Sequence, residues 1–220
     1  MQLQVQSCNG QNLGINKYNI KSPGHLDTLS AFAGTKEIGN NAGPKLPILK
    51  ALRYMGFGKG TPYCAVTLSW CLEITDAKRP DVRTALATDF IKSEDVVLAK
   101  DVLRKRDTAE VGWGVIWRRG NGYHGHAGFA DSTWTGRCGW TIEANTTIPG
   151  TDTQGITRKK RCIDPSAHFS IVAFIPTTPE GRTYENKNCD TFYELIRESE
   201  CKTIFDINWY YNSKLQWPIK

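Results

Sequence analysis

The order of hydrophobic patterns along the chain predicts an α+β fold, with helical segments first and an antiparallel sheet after them. Two helical patterns stand near residues 46–55 and 64–74, four short strand patterns fall between 115 and 175, and strands do not alternate with helices. Gly56 stops the first helix, because glycine readily takes the left-handed conformation that ends one. A turn, Gly58-Lys59-Gly60-Thr61-Pro62, leads into the second. There Thr61 is the expected N-cap and Pro62 the expected first helical residue, and the small and apolar residues from Tyr63 through Leu72 suit a buried helix. Residues 81–106 mix helical and loop signals, with Asp89-Phe90-Ile91 and Val96-Val97-Leu98 ambiguous. Strands are expected at 115–118, 126–130 and 141–145, the first two joined by the turn-rich Gly120-Asn121-Gly122-Tyr123-His124-Gly125. A last strand at 171–175 is expected to close the sheet.

With 220 residues, 40% hydrophobic and 23% charged, the chain can bury one core, which suggests one domain with extensions or at most two small domains. Its longest apolar run, Ile171-Val172-Ala173-Phe174-Ile175, is far too short to span a bilayer, so no integral membrane segment is expected. Met1-Gln2-Leu3-Gln4-Val5-Gln6 is polar and alternating and does not read as a signal peptide, which implies synthesis in the cytoplasm. The net charge of +6 is concentrated at 158–161 and 100–106, readable as solvated surface or as attraction to an anionic polymer. No zinc-finger, RNP or helix-turn-helix pattern accompanies these cations, so nucleic acid is not expected as a partner.

Seven cysteines is an odd number, so at least one lacks an intramolecular partner, and Cys64 is assigned that place. Cys71 lies about 10 Å further along the same helix, too far for a bridge to Cys64. Cys8, Cys138, Cys162, Cys189 and Cys201 show no CxxC pairing, so zinc is not expected, and their disulfide state is left open. Without a secretory signal, mostly reduced thiols are expected.

Cys64 falls in the first turn of its helix, where unpaired amides and the helix dipole favour thiolate, the setting of a nucleophile. A buried structural cysteine is the other reading. A nucleophilic thiolate needs a base and a group to orient that base. In Gly125-His126-Ala127-Gly128-Phe129-Ala130 a period of two puts His126, Gly128 and Ala130 on one face, so the imidazole shares a nearly bare surface that a helix end could approach. In Trp140-Thr141-Ile142-Glu143-Ala144-Asn145 the same period places Glu143 and Asn145 together, and either could accept from the second ring nitrogen. His124, on the glycine-rich loop, reads as a rim residue.

The Pro-Tyr-Cys-Ala and Ser-Trp-Cys of residues 62–71, the Gly-His-Ala-Gly of 125–128 and the Ile-Glu-Ala-Asn of 142–145 together resemble the CHAP amidohydrolase/peptidase domain, a branch of the NlpC/P60-like papain superfamily. Residues 33–41 also look like the stretch that opens such domains, and the likeness covers about residues 30–176. It implies a papain-like fold with the nucleophile helix packed on an antiparallel sheet. It implies Cys64 as nucleophile, His126 as general base, Glu143 as the group that orients the ring, and Asn145 as a fourth polar group holding ring or substrate. Family members commonly carry Gly-Asp before the strand that precedes the histidine, where this chain has Gly112-Trp113-Gly114. With no Asp-rich loop either, metal-independent chemistry without a cofactor is expected.

The organisation implied is an arm at 1–29, a CHAP-like catalytic domain at 30–178 and a C-terminal extension at 179–220. The extension carries a helical pattern at 191–201 and the aromatics Trp209, Tyr210, Tyr211 and Trp217, suited to packing on the catalytic core, to sugar rings or to a partner protein. The expected activity is hydrolysis of a peptidoglycan amide, either between muramic acid and its stem peptide or within the stem or cross-bridge, by a phage lysin or a delivered effector. The alternatives are an inactive wall-binding or virion structural protein, and a cysteine hydrolase of a different amide.

Overall fold

Alternation of period two between residues 114 and 175 builds most of a six-stranded sheet in the computed structural model, which describes residues 24–177 except 76, 78–82 and 94. The strands are β1 (Val97–Leu98), β2 (Gly114–Arg119), β3 (Gly125–Ala130), β4 (Cys138–Thr147), β5 (Gln154–Cys162) and β6 (Phe169–Ile175), in spatial order β1-β6-β2-β3-β4-β5. Every neighbouring pair is antiparallel. Helices α1 (Gly24–Ser30), α2 (Lys50–Tyr54) and α3 (Cys64–Ile74) precede the sheet, and α4 (Ala99–Leu103) follows β1 directly. The α+β order expected from the sequence is therefore present. All described residues belong to one compact unit, Ser22–Glu185. No helix among them is long and apolar enough to cross a membrane.

Both faces of the sheet are covered, and the pleat decides which side chain goes where. On one face Ile116, Ala127, Phe129, Ile142 and Ala173 join Leu26, Leu52, Val66, Leu68 and Leu72 from the helices. On the other, Val115, Trp117, Ala130, Ile171 and Phe174 pack with Ala99, Val102 and Trp134. Every residue of α3 from Cys64 to Leu72 is buried, so this helix is enclosed on all sides and shows no polar stripe.

Several expectations need correction. The α3 helix begins at Cys64 with Tyr63 at the N-cap position, so Thr61 and Pro62 precede the helix and do not cap it. The work of a cap is done from elsewhere in the fold, because the Asn145 side chain accepts from the Tyr63 amide at 3.3 Å. Residues 46–55 are not one α-helix: a π turn, Lys45–Leu49, leads into α2. Pro47 has no amide to donate, and the turn is closed by the Leu49 amide donating to the Pro44 carbonyl at 3.2 Å. Gly56 does follow α2 with φ 81°, as a helix-terminating glycine should. The strand at 171–175 lies inside the sheet between β1 and β2, and the edge beyond β4 is β5, a strand the sequence did not suggest.

The arm also changes at its end. Residues 24–29 are helical, with His25, Leu26 and Leu29 buried, so α1 crosses the boundary drawn at 30. His25 Nε2–H donates to the Gly112 carbonyl at 2.7 Å, which Thr177 Oγ1–H also reaches at 2.6 Å, tying α1 to the segments just before β2 and just after β6. Burial lowers His25 to about 4, against the pull of that carbonyl, and the ring is a neutral core residue. Residues 1–23 and 178–220, and with them Cys8, Cys189, Cys201 and the aromatic-rich tail, lie outside the described residues.

The expectation of reduced thiols fails at one pair. Cys138 and Cys162 face each other across β4 and β5 and are joined in a disulfide, with Cα atoms 4.1 Å apart. That spacing belongs to the closely approaching positions of an antiparallel ladder, where side chains are nearest. Among the described residues Cys64 and Cys71 are free.

Gly139 is one position where the packing leaves no room for a side chain. A Cβ there would lie 2.3 Å from the buried Trp134 ring. Gly139→Ala is therefore expected to lower the unfolding free energy by about 1–3 kcal/mol through overpacking. Urea denaturation reads this, and a wild-type midpoint would show that Trp134 is not held against β4.

Candidate active site

The ladder between β3 and β4 is short: Gly128 pairs with Glu143, Phe129 with Ile142 and Ala130 with Thr141. Beyond Glu143 the register of β4 against β5 shifts, and Asn145 takes a left-handed φ of 57°. The start of α3 reaches this end of the ladder. Cys64 comes within reach of the His126 ring and of the Ala127 and Ala65 amides, each of which favours its thiolate.

His126 is directly opposite Trp117 in the β2–β3 register, and the two rings lie 5.1 Å apart. Its Nε2–H donates to Glu143 Oε2 at 2.9 Å, which leaves Nδ1 as the nitrogen for the thiol. Glu143 has no solvent exposure, yet its carboxylate is saturated with donors. Thr141 Oγ1–H donates to Oε1 at 2.6 Å, Arg161 Nε–H to Oε1 at 2.7 Å, and an Arg161 Nη2–H to Oε2 at 2.6 Å. With His126 this makes four donors, the capacity of an ionised carboxylate.

The charges in this row are set by their neighbours. Burial pushes the Cys64 thiol up, but the hydrogen bond and charge of His126, with the Ala127 and Ala65 amides, bring it net below its ordinary value. Burial works the other way on His126, and the hydrogen bonds and charges of Cys64 and Glu143 overcome it, raising the imidazole to about 9. Burial also raises Glu143, and Arg161 and His126 hold it far below the usual carboxylate range. The neighbours thus favour, in order along the row, thiolate, imidazolium, carboxylate and guanidinium. Cys71 is the internal contrast: fully buried with no such partner, its thiol is pushed well up and stays protonated.

Of the four residues chosen from the sequence, Cys64, His126 and Glu143 are brought together, with His126 hydrogen-bonded to Glu143. Asn145 is beside them with another task. Its Oδ1 accepts from the Tyr63 amide, and its Nδ2 donates to Asn41 Oδ1 at 2.8 Å and Gln154 Oε1 at 2.7 Å. None of these bonds reaches the His126 ring. The bare strand face also serves a different neighbour from the one expected. Ala127 and Phe129 meet the helices, while Gly128 makes room for Glu143, whose Cγ would lie 2.9 Å from an added Cβ. His124 is exposed on its loop, its ring tilted against Tyr123 with centroids 4.2 Å apart.

Arg161 was missed because Arg158-Lys159-Lys160-Arg161 carries no apolar alternation and reads as a run of surface charge. Read as a strand beside β4, the same residues alternate. Lys159 and Arg161 then share the inward side, where Lys159 Nζ–H donates to Thr146 Oγ1 at 2.9 Å, and Arg158 turns out to Asp131. Among the described residues no group of three or more His, Cys, Asp or Glu is arranged to hold a metal ion.

No protein-family model matches the chain, and no curated protein or solved structure compared with it gives a match.

The division of labour between Glu143 and Asn145 can be read by following the His126 ring through a pH titration with NMR. Glu143→Gln is expected to bring its pKa down towards or below the ordinary value of about 6.5, because the compensating charge is gone while burial remains. Asn145→Ala is expected to leave the ring within a few tenths of a unit of wild type. That variant should instead lower stability by about 1–3 kcal/mol, from the left-handed backbone and the lost hydrogen bonds. An Asn145→Ala shift as large as that of Glu143→Gln would return the ring-holding role to Asn145.

Proposed function

We propose that this protein is a cysteine hydrolase that cuts an amide bond in bacterial peptidoglycan, using a papain-like arrangement of the CHAP type. The observation that carries this reading is Cys64 beside a His126 that is hydrogen-bonded to Glu143 at 2.9 Å, with the thiol lowered and the imidazole raised. A structural cysteine needs none of these partners, as Cys71 illustrates. The choice of peptidoglycan rests on the motif resemblance and on the positive net charge, which favours encounter with the carboxylates and phosphodiesters of a bacterial wall.

In this mechanism the Cys64 thiolate attacks the amide carbon and forms the C–S bond, while negative charge moves to the carbonyl oxygen. The Cys64 amide, at the first position of α3 and without an intrahelical acceptor, is one donor to that oxygen. The His126 imidazolium then gives its proton to the departing nitrogen, the C–N bond breaks, and a thioester remains. Neutral His126 next takes a proton from water, which attacks the thioester, and the sulfur leaves as thiolate beside a reprotonated ring. Glu143 does not touch the reacting atoms. It fixes the ring through Nε2 and stabilises its positive form.

The test is digestion of purified peptidoglycan with mass spectrometry of the fragments. The expected result is a new amine and a new carboxyl terminus at one amide bond, at a rate at least a thousandfold lower with Cys64→Ser, unchanged by EDTA and abolished by iodoacetamide labelling of Cys64. Intact wall that is nonetheless bound would favour the non-enzymatic alternative, and intact, unbound wall would favour a different amide as substrate. Loss of activity on chelation, restored by zinc or calcium, would contradict the metal-free mechanism.

The pH profile of turnover follows from the same row. Activity requires thiolate and imidazolium together, so it should rise as Cys64 ionises, below the ordinary thiol range, and fall as His126 loses its proton near about 9. A profile governed by a single group near the ordinary histidine value, with no alkaline fall, would contradict this assignment.

A further inference from the structure

The row of alternating charges does not end at Glu143, and the residue that completes it comes from the strand the sequence hid. Arg161 grips Glu143 with two hydrogen bonds of 2.7 and 2.6 Å, one to each oxygen. Its guanidinium also lies over the Trp117 ring at 5.7 Å, and that ring packs on His126 at 5.1 Å. Arg161 therefore touches both supports of the imidazole, the carboxylate that accepts from it and the indole that flanks it. The neighbouring Cys162 is bonded to Cys138, which joins β5 to β4 one residue from Arg161.

We propose that Arg161 is a positioning residue for the Cys64–His126 pair, closing a charge-balanced row whose removal would leave the thiolate, imidazolium and carboxylate with one uncompensated negative charge in a buried site. The proposal rests on the reading of Cys64 as a nucleophile, and it names a determinant of that site that neither the motifs nor the resemblance supplied. Counting along the row, Cys64 and Glu143 carry one negative charge each and His126 and Arg161 one positive each. Taking away the guanidinium moves the sum to minus one, and a buried site relieves that by holding protons more tightly. Every group in the row should then titrate at higher pH, Cys64 included.

Other charged groups near the row are few. From β5, Lys159 lies close enough to act on Arg161 and Glu143 but gives its hydrogen bond to Thr146. From the segment before α3, Tyr63 is held neutral by burial and by Glu37, whose Oε2 accepts from its hydroxyl at 3.2 Å. Neither makes a bond to Glu143. Arg161 is thus the one cation besides His126 that contacts the carboxylate among the described residues.

The experiment follows the rate of Cys64 alkylation by iodoacetamide against pH in the purified full-length protein, with the label located by mass spectrometry. It needs no substrate, so it stands apart from whether peptidoglycan is the target. In Arg161→Gln the midpoint of Cys64 reactivity is expected to rise by about one unit, which is about a tenfold slower alkylation at pH values below the midpoint. Arg161→Lys keeps a charge without the two-pronged grip and should shift the midpoint the same way by less, a partial rescue relative to the glutamine variant. Lys159→Met removes a charge of the same strand that makes no bond to Glu143 and should move the midpoint least of the three. A purely structural Arg161 would lower the melting temperature and leave the midpoint where it was, and that result in either folded Arg161 variant overturns the proposal. A Lys159→Met shift equal to that of Arg161→Gln overturns it as well, by showing that general charge and not the grip on Glu143 sets the site.

Discussion

Burial of one carboxylate constrains most of what surrounds it. Glu143 is shut off from water, and a charge in that position persists only if its oxygens are filled with donors. Four side-chain hydrogen bonds fill them, from Thr141 on its own strand, His126 on one neighbour and Arg161 twice from the other. Each of these needs a particular register: Gly128 opposite Glu143 in the β3–β4 ladder, and β5 paired with β4 as far as Cys138 and Cys162. The carboxylate thereby links strand pairing to chemistry, since the same bonds that satisfy it orient the imidazole and keep it positive.

The site stands where two kinds of regular structure meet. A ladder that shifts register beyond Glu143, and an asparagine in a left-handed conformation, make room for the first turn of α3. Asn145 then binds the Tyr63 amide just ahead of Cys64, so the bulge that interrupts the sheet also caps the helix. The Cys64 sulfur receives the Ala127 amide of β3 and the Ala65 amide of its own helix. Sheet and helix each contribute an amide, and both add to the larger effect of His126 in lowering the thiol.

Much of this was legible in the residues because it depends on local pattern. The α+β order, α3 with its end at residue 74 and the strands around 115, 126, 141 and 171 follow from periodicity and from residue type at helix starts, whereas periodicity left Glu143 and Asn145 open as the partner of His126 and the motif resemblance implied Glu143. What escaped depends on partners distant in sequence. Thr61 and Pro62 form a good local cap signal, yet the tertiary bond from Asn145 sets the helix start at Cys64. β5 escaped because its inward residues are Lys159 and Arg161, whose burial makes sense only beside Glu143 and Thr146. The Cys138–Cys162 bridge was invisible for the same reason, since without β5 nothing placed the two cysteines opposite each other. Asn145 was chosen for its place beside Glu143 in a regular strand, and the bulge there gave it to the helix.

The proposed chemistry requires Cys64 to be an anion in the resting protein. The ultraviolet absorbance of thiolate, taken as the difference between wild type and Cys64→Ser across a pH titration, measures that directly, because all other cysteines cancel. A thiolate signal already present at neutral pH, with its midpoint below the ordinary thiol value of about 8.5, is the expected result. A midpoint at or above that value would mean that burial wins over His126 and its partners, and that Cys64 is a core thiol like Cys71.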